Sequence, residues 1–233
     1  MALTRRGPDS TMPRTWTTQS KGKLAKSWLQ IKTIFIPKPG KGDYSIAKSF
    51  RPISLMSFIL KTLERLIFWH VQDTHLTRFP LNKNVFSYRE GVSTENALHE
   101  LISKVEKAFN NKQYALVIFL DISGAFSNTA TKSMVKSLSD KGTEKQIVNW
   151  TKHLLTGRKA TAMMGNSQIE RNITTGVAEG GVASAPLFNC VGSEAIDEVE
   201  EETEADAIAF ADDMNEIIIG FDLEEIGREA QVQ

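Results

Sequence analysis

Cysteine is nearly absent: Cys190 is the only one in 233 residues. A single thiol excludes an internal disulfide and a cysteine-based zinc cage, and it points to a reducing compartment. Long apolar runs are missing too. The longest covers 115–120, far short of the ~20 residues a membrane helix needs, and residues 1–16 lack the apolar core of a secretory signal. No membrane partner is expected. Histidine is scarce, with four in the chain. His70 and His75 stand five apart, which on a helix sends them to different faces, and His99 and His153 are isolated. All four read as ordinary helix residues. The seven methionines read as core, and no internal repeat or low-complexity tract occurs.

What is present is a globular composition. At 41% hydrophobic and 24% charged, the chain is neither disordered nor collagen-like, and its length suits one large or two small domains. The 28 basic and 28 acidic residues cancel, but they are segregated. Residues 1–50 hold ten Lys/Arg against two acids, whereas 201–233 hold one Arg against eleven acids. The basic front suits a polyanion such as nucleic acid or a nucleotide; equally, the two ends attract each other or face solvent.

Periodicity gives the elements. Residues 1–20, rich in Thr, Ser, Arg and Pro, read as a flexible leader to a domain over 21–233. A strand is expected at 29–36, stopped by Pro37 and the Pro39-Gly40-Lys41-Gly42 loop. Leu55, Ile59, Leu63, Leu66 and Ile67 predict a helix over 54–71, with Pro52 just ahead of it. A second helix is expected over 94–109. The run ALVIFLDI at 115–122 reads as a central strand buried on both faces. Helices follow at 131–139 and 144–156, then a hairpin over 160–174 turning at Gly165-Asn166. The amphipathic stretch 184–200 turns Leu187, Phe188, Val191, Ala195 and Val199 inward. Residues 206–220 hold two short apolar strands, with 211–215 between them. The class is α/β or α+β.

Three carboxylates stand out against this background. Asp121 ends an apolar strand, and Asp212 and Asp213 sit at the tip of an apolar hairpin. Burying such groups is costly unless something neutralises them. If the hairpin pairs beside 115–122, all three converge at one sheet edge, where hard divalent cations find oxygen ligands. Two such ions form the general clamp for phosphoryl or nucleotidyl transfer. The alternative is a solvated Asp-Asp turn and an unrelated strand-end aspartate.

Five segments in order carry a family resemblance. LDISGAF (120–126) and FADDM (210–214) resemble the first and third palm motifs of reverse transcriptases. IFIPKPGKGDY (34–44) with SFRPISLMSFILKTLERLI (49–67) is similar to the fingers of non-LTR retrotransposon polymerases. YREGVSTENALHELI (88–102) resembles the segment before the first palm motif, and GVAEGGVASAPLFN (176–189) the second palm motif. The likeness covers about 28–220 and is nearest to jockey-like elements. It implies an α+β right-hand polymerase with fingers at about 28–113 and an incomplete palm at about 114–233. The palm would be an antiparallel sheet with flanking helices, and the thumb would be missing.

On that resemblance the chain is an RNA-directed DNA polymerase fragment; the rival is a degenerate polymerase-like fold that binds nucleic acid without synthesis. Asp121, Asp212 and Asp213 would be catalytic and hold Mg²⁺, with Mn²⁺ as a substitute. Lys38, Lys41 and Arg51 would meet the triphosphate, and Phe126 would exclude a ribose 2′-hydroxyl. Glu179, Gly180 and Gly181 would lie at the nucleotide, the glycines admitting close backbone approach. The implied partners are an RNA template, a DNA primer and deoxynucleoside triphosphates, inside the cell and, by family alone, in the nucleus. Three departures stand out: Glu179 where the family has Gln, Ser127 where it has an acid, and Ser184-Ala185-Pro186 in place of Ser-Pro.

Overall fold

The computed structural model describes residues 24–203 and 205–232, so the expected leader lies outside the described residues. The class is α+β. Two compact units share the chain: one runs up to Pro80 and resumes over Phe126–Ser184, and the other takes Leu81–Ala125 and the residues from Ala185 onward. No helix among the described residues is long and apolar enough to cross a membrane.

The first unit is built on a four-stranded sheet in the order β2-β1-β4-β5. Strand β1 (Gln30–Pro37) pairs antiparallel with β2 (Phe50–Leu55) and parallel with β4 (Arg158–Met164). Strand β5 (Ser167–Ile173) closes the far side by an antiparallel hairpin whose turn is Gly165-Asn166, as the sequence indicates. Residues 50–55 correct the sequence reading. They form an edge strand, and the helix begins only at Phe58, running to Arg78. Pro52 is tolerated because β2 pairs on one side alone. The apolar spacing from Ile59 onward is that of the helix itself, but Ser54 and Leu55, expected at its start, are held in register against Thr33 and Lys32.

Helix Phe58–Arg78 buries Leu60, Glu64, Ile67, Phe68 and Val71, a stripe at helical spacing that contains one carboxylate. Helices Thr131–Asp140 and Lys145–Thr156 bury Met134 and Leu138, and Ile147, Trp150, Leu154 and Leu155.

The second unit holds an antiparallel sheet in the order β3-β7-β6. Strand β3 (Tyr114–Asp121) is an edge strand, which overturns its reading as the buried centre: Phe119 is 72% exposed. The middle place belongs to β7 (Asp213–Gly220), paired on both sides. Its side chains alternate between two apolar layers. Ile217 packs with Ala97 and Ile208 on one face, and Ile218 with Ala205 and Ile226 on the other. Strand β6 (Asp206–Phe210) has its outer edge covered by a parallel bridge from Val85 to Ala209.

Helix Thr94–Asn110 starts with a reciprocal cap between Ser93 and Asn96. Helix Ser184–Glu202 differs from its expected face. Besides Leu187, Phe188 and Ile196 it buries Asn189, Cys190 and Ser193, while Val191, Ala195 and Val199 are half-buried. The polar members have a use, because Asn189 and Ser87 exchange hydrogen bonds and Ser193 Oγ accepts from the Asn82 amide at 2.7 Å.

Candidate functional site

In the second unit the three aspartates meet at one end of the sheet. The β3–β7 register sets Asp121 directly opposite Asp213, so their side chains share a face. The β6–β7 hairpin closes on Phe210 and Asp213, which narrows the expected 211–215 connection to Ala211-Asp212. Tight two-residue hairpins require positive φ at their first central residue, and Ala211 supplies it at φ 57°. The Asp212 carbonyl then accepts from the Ile122 amide at 3.4 Å, which ties the turn to the end of β3. The carboxylates are not buried, as the sequence reading supposed: Asp121 and Asp213 are exposed and Asp212 is half-buried.

Tyr88 is a neighbour that sequence reasoning missed. Desolvation, then the negative charge of Asp212, pushes its hydroxyl above the ordinary tyrosine range. Its backbone stands at φ 51°, unusual for a residue with a bulky side chain. The signal was its place in the YREG stretch ahead of the first palm motif. Beside it, Arg89 Nη1 donates to the carbonyls of Asn82 and Val85 and fixes that loop.

The remaining candidates lie in the first unit. Lys38 and Arg51 stand at the end of the β1–β2 pairing, where Lys38 N donates to Ser49 O and Arg51 is paired with Ile36, and Lys41 lies in the connection between the two strands. Lys41 and Arg51 are exposed and Lys38 is half-buried. Phe126 is half-buried, and its carbonyl accepts from Val177 N at 2.7 Å. The carbonyl of Glu179 accepts from Ser54 N at 2.7 Å, which ties the 176–183 loop to β2. Gly180 has φ 103°, and a Cβ there would stand 3.0 Å from Ser54 O, so a glycine is needed at that place. Gly181 is also tight: a Cβ would lie 2.9 Å from Ser184 Oγ.

Two buried charges hold this loop, and neither was singled out from the sequence. Glu64, with no exposed surface, accepts through Oε2 from the amides of Val182 and Ala183 at 2.7 and 3.0 Å. Desolvation raises its pKa, outweighing those two amides and the charges of Lys61 and Arg158. Arg158, 3% exposed, donates to the carbonyls of Leu155, Thr175 and Gly176. Burial lowers its pKa to about 10, against the opposing pull of Glu64. At Gly176 a Cβ would fall 2.3 Å from Ser127 O, so chain and chain touch there.

Comparison with known proteins bears on the fold and the family. Residues 36–225 match the model of the family described as reverse transcriptase (RNA-dependent DNA polymerase). A probable RNA-directed DNA polymerase from transposon BS of Drosophila melanogaster is 31% identical over 165 residues, covering 70% of this chain and 18% of the relative. The RNA-directed DNA polymerase from mobile element jockey of the same species is 28% identical, with 78% and 20% covered. The chain thus spans about a fifth of the length of these relatives. Among solved structures, apo telomerase from Candida tropicalis matches with a TM-score of 0.65 at 10% identity, over 90% of this chain and 42% of that one. The fold is the right-hand polymerase fold, and with most of its length matched the chain belongs to the reverse transcriptase family of non-LTR retrotransposons.

Proposed function

We propose that this chain is the fingers (about 28–113) and palm (about 114–233) segment of a jockey-like polymerase that copies an RNA template into DNA. It would extend a DNA primer with deoxynucleoside triphosphates, in the nucleus. The observation that carries this reading is the in-register pairing of Asp121 with Asp213 beside the Asp212 turn. The donor set fits a hard divalent cation: three accessible carboxylates, none in an ion pair with Lys or Arg among the described residues. Asp121, Asp212 and Asp213 would hold Mg²⁺, for which Mn²⁺ substitutes. A bound ion supplies charge neutralisation at the triphosphate and a more acidic primer hydroxyl.

The protein's own groups do the rest. Ala211 and the Ile122 amide fix the Asp212 turn, so the carboxylates are set before substrate arrives. In the first unit, Lys38, Lys41 and Arg51 offer cations suited to phosphate oxygens, and Phe126 serves to exclude a ribose 2′-hydroxyl. Gly180 and Gly181 keep the loop backbone free of side chains where a base pair would approach.

The test is primer extension on an RNA template with Mg²⁺ and then Mn²⁺. Asp121→Asn should lower extension on the order of 10²–10³-fold. Its melting temperature should hardly move, because the side chain is exposed. Equal extension by both forms would overturn the reading. Glu179 favours the second reading, a fold that binds nucleic acid without synthesis, since an ionised acid cannot donate as the family's glutamine does. In that case neither metal supports extension while nucleic-acid binding persists, and Glu179→Gln raises nucleotide affinity at low salt.

A further inference from the structure

We propose that His70, His75 and Glu144 form a zinc site, separate from the aspartates, that clasps helix Phe58–Arg78 to the head of helix Lys145–Thr156. Five residues of helix turn through about 140° and rise about 7.5 Å, the geometry that assigned the two histidines to different faces. The structure corrects that assignment. His70 Nε2 lies 3.2 Å from Glu144 Oε1, and His75 Nε2 lies 2.6 Å from Glu144 Oε2. The two rings meet edge to face, with centroids 5.9 Å apart. One ligand atom from each of the three residues falls within 4.8 Å of the others.

The donor set selects the ion. Two imidazole nitrogens and one carboxylate suit Zn²⁺, whereas Mg²⁺ and Ca²⁺ prefer all-oxygen shells. Zinc bonds of about 2.0–2.2 Å in a tetrahedron put ligand atoms about 3.3–3.5 Å apart. His70 and Glu144 already stand near that spacing, and His75 needs less than about 1 Å of give. Glu144 has room to move because its side chain is 50% exposed, while those of His70 and His75 are 15% and 13% exposed. It occupies the N-cap of its helix but makes no side-chain cap there. Three protein ligands leave a fourth position for water. Binding replaces any proton on either Nε2 by the metal and releases it to solvent.

The remaining histidines and the cysteine do not compete for the ion. His99 and His153 face Ser103 and Asn149 on their own helices, and Cys190 is 1% exposed. The experiment titrates the metal-free 233-residue chain with Co²⁺, read as the visible band of tetrahedral cobalt, then displaces it with Zn²⁺. One equivalent should develop the tetrahedral band; Co²⁺ taken up by the all-oxygen aspartate set does not give that band. Losing an outer-shell partner already weakens metal sites roughly 10–100-fold, so losing a ligand in His75→Ala or Glu144→Gln should cost at least about that. Asp121→Asn should leave the band intact. Glu144→Gln keeps the side-chain length at an exposed position, so it decides the matter should His75→Ala fail to fold. No tetrahedral band in the wild type, or an equal band in Glu144→Gln and a His70→Ala/His75→Ala double variant, overturns the site.

Discussion

The two units handle charge in opposite ways. In the second, an apolar sheet core of Ile208, Ile217 and Ile218 carries its aspartates out to an accessible end. In the first, a carboxylate and a guanidinium are sealed inside, where they occupy backbone groups of the 175–183 loop. A charge meant to meet a ligand must stay reachable, so the fold supports it through strand register. A charge meant to hold a loop is desolvated and must recover that cost from the amides and carbonyls it bonds; Glu64 recovers only part of it, because its Oε1 is buried without a hydrogen-bond partner. Substituting the exposed set should therefore change chemistry, and substituting the buried set should change stability.

Arg158→Ala should show the largest stability effect. Three carbonyls lose a buried donor, at about 1–3 kcal/mol each before relaxation, and Glu64 keeps Lys61 but loses the second of its two compensating charges. A loss of about 3 kcal/mol or more in urea unfolding is expected; a loss below about 1 kcal/mol would erase the contrast between the units. Ala211→Gly should move the other way. Left-handed backbone costs a residue with a Cβ about 1–2 kcal/mol, partly offset by the entropy glycine adds to the unfolded chain. A net gain of about 0.5–1 kcal/mol in the same measurement is expected.

The smallest effect is a pH dependence. The folded-state pKa of Glu64 is raised above its unfolded value, so its contribution is fully present below the unfolded pKa and lost as pH rises through the folded one. Relative to Glu64→Gln, the wild type should therefore gain stability as the solution is taken from neutral towards pH 4.5. A difference that stays flat over that range would show that Glu64 is not strained by burial.

Local pattern carried much of this in the sequence. Gly165-Asn166 between two strand-like runs announced its hairpin, and apolar spacing placed helices Thr94–Asn110, Thr131–Asp140 and Lys145–Thr156 within a residue or so. The order of LDISGAF and FADDM brought out the aspartates. What failed depended on partners distant in sequence. An apolar run looks the same at an edge or a centre, so β3 and β7 exchanged roles until their pairing was known. Leu55 fits the helical spacing of Ile59, Leu63 and Leu66, and only its pairing with Lys32 puts it in a strand. Glu64 sits on a helix like any solvated glutamate, and its amide partners lie more than a hundred positions on. His70 and His75 likewise took their meaning from Glu144, at the head of another helix.

The discontinuity of the units has a consequence in time. Strand β1 ends at Pro37, but its parallel neighbour β4 begins at Arg158, and β3 ends at Asp121 well before β7 begins at Asp213. At roughly 5–20 residues per second, β4 leaves the ribosome roughly 6–24 s after β1, and β7 roughly 5–18 s after β3. Over that interval the nascent chain presents two strand edges whose proper partners do not yet exist, one bearing Ile34, Phe35 and Ile36 and the other Phe119 and Leu120. Neighbouring chains on the same message are then the nearest alternatives for pairing. Slowing translation between Pro37 and Arg158 should lengthen that exposure and lower the soluble yield, although no residue of the finished fold has changed.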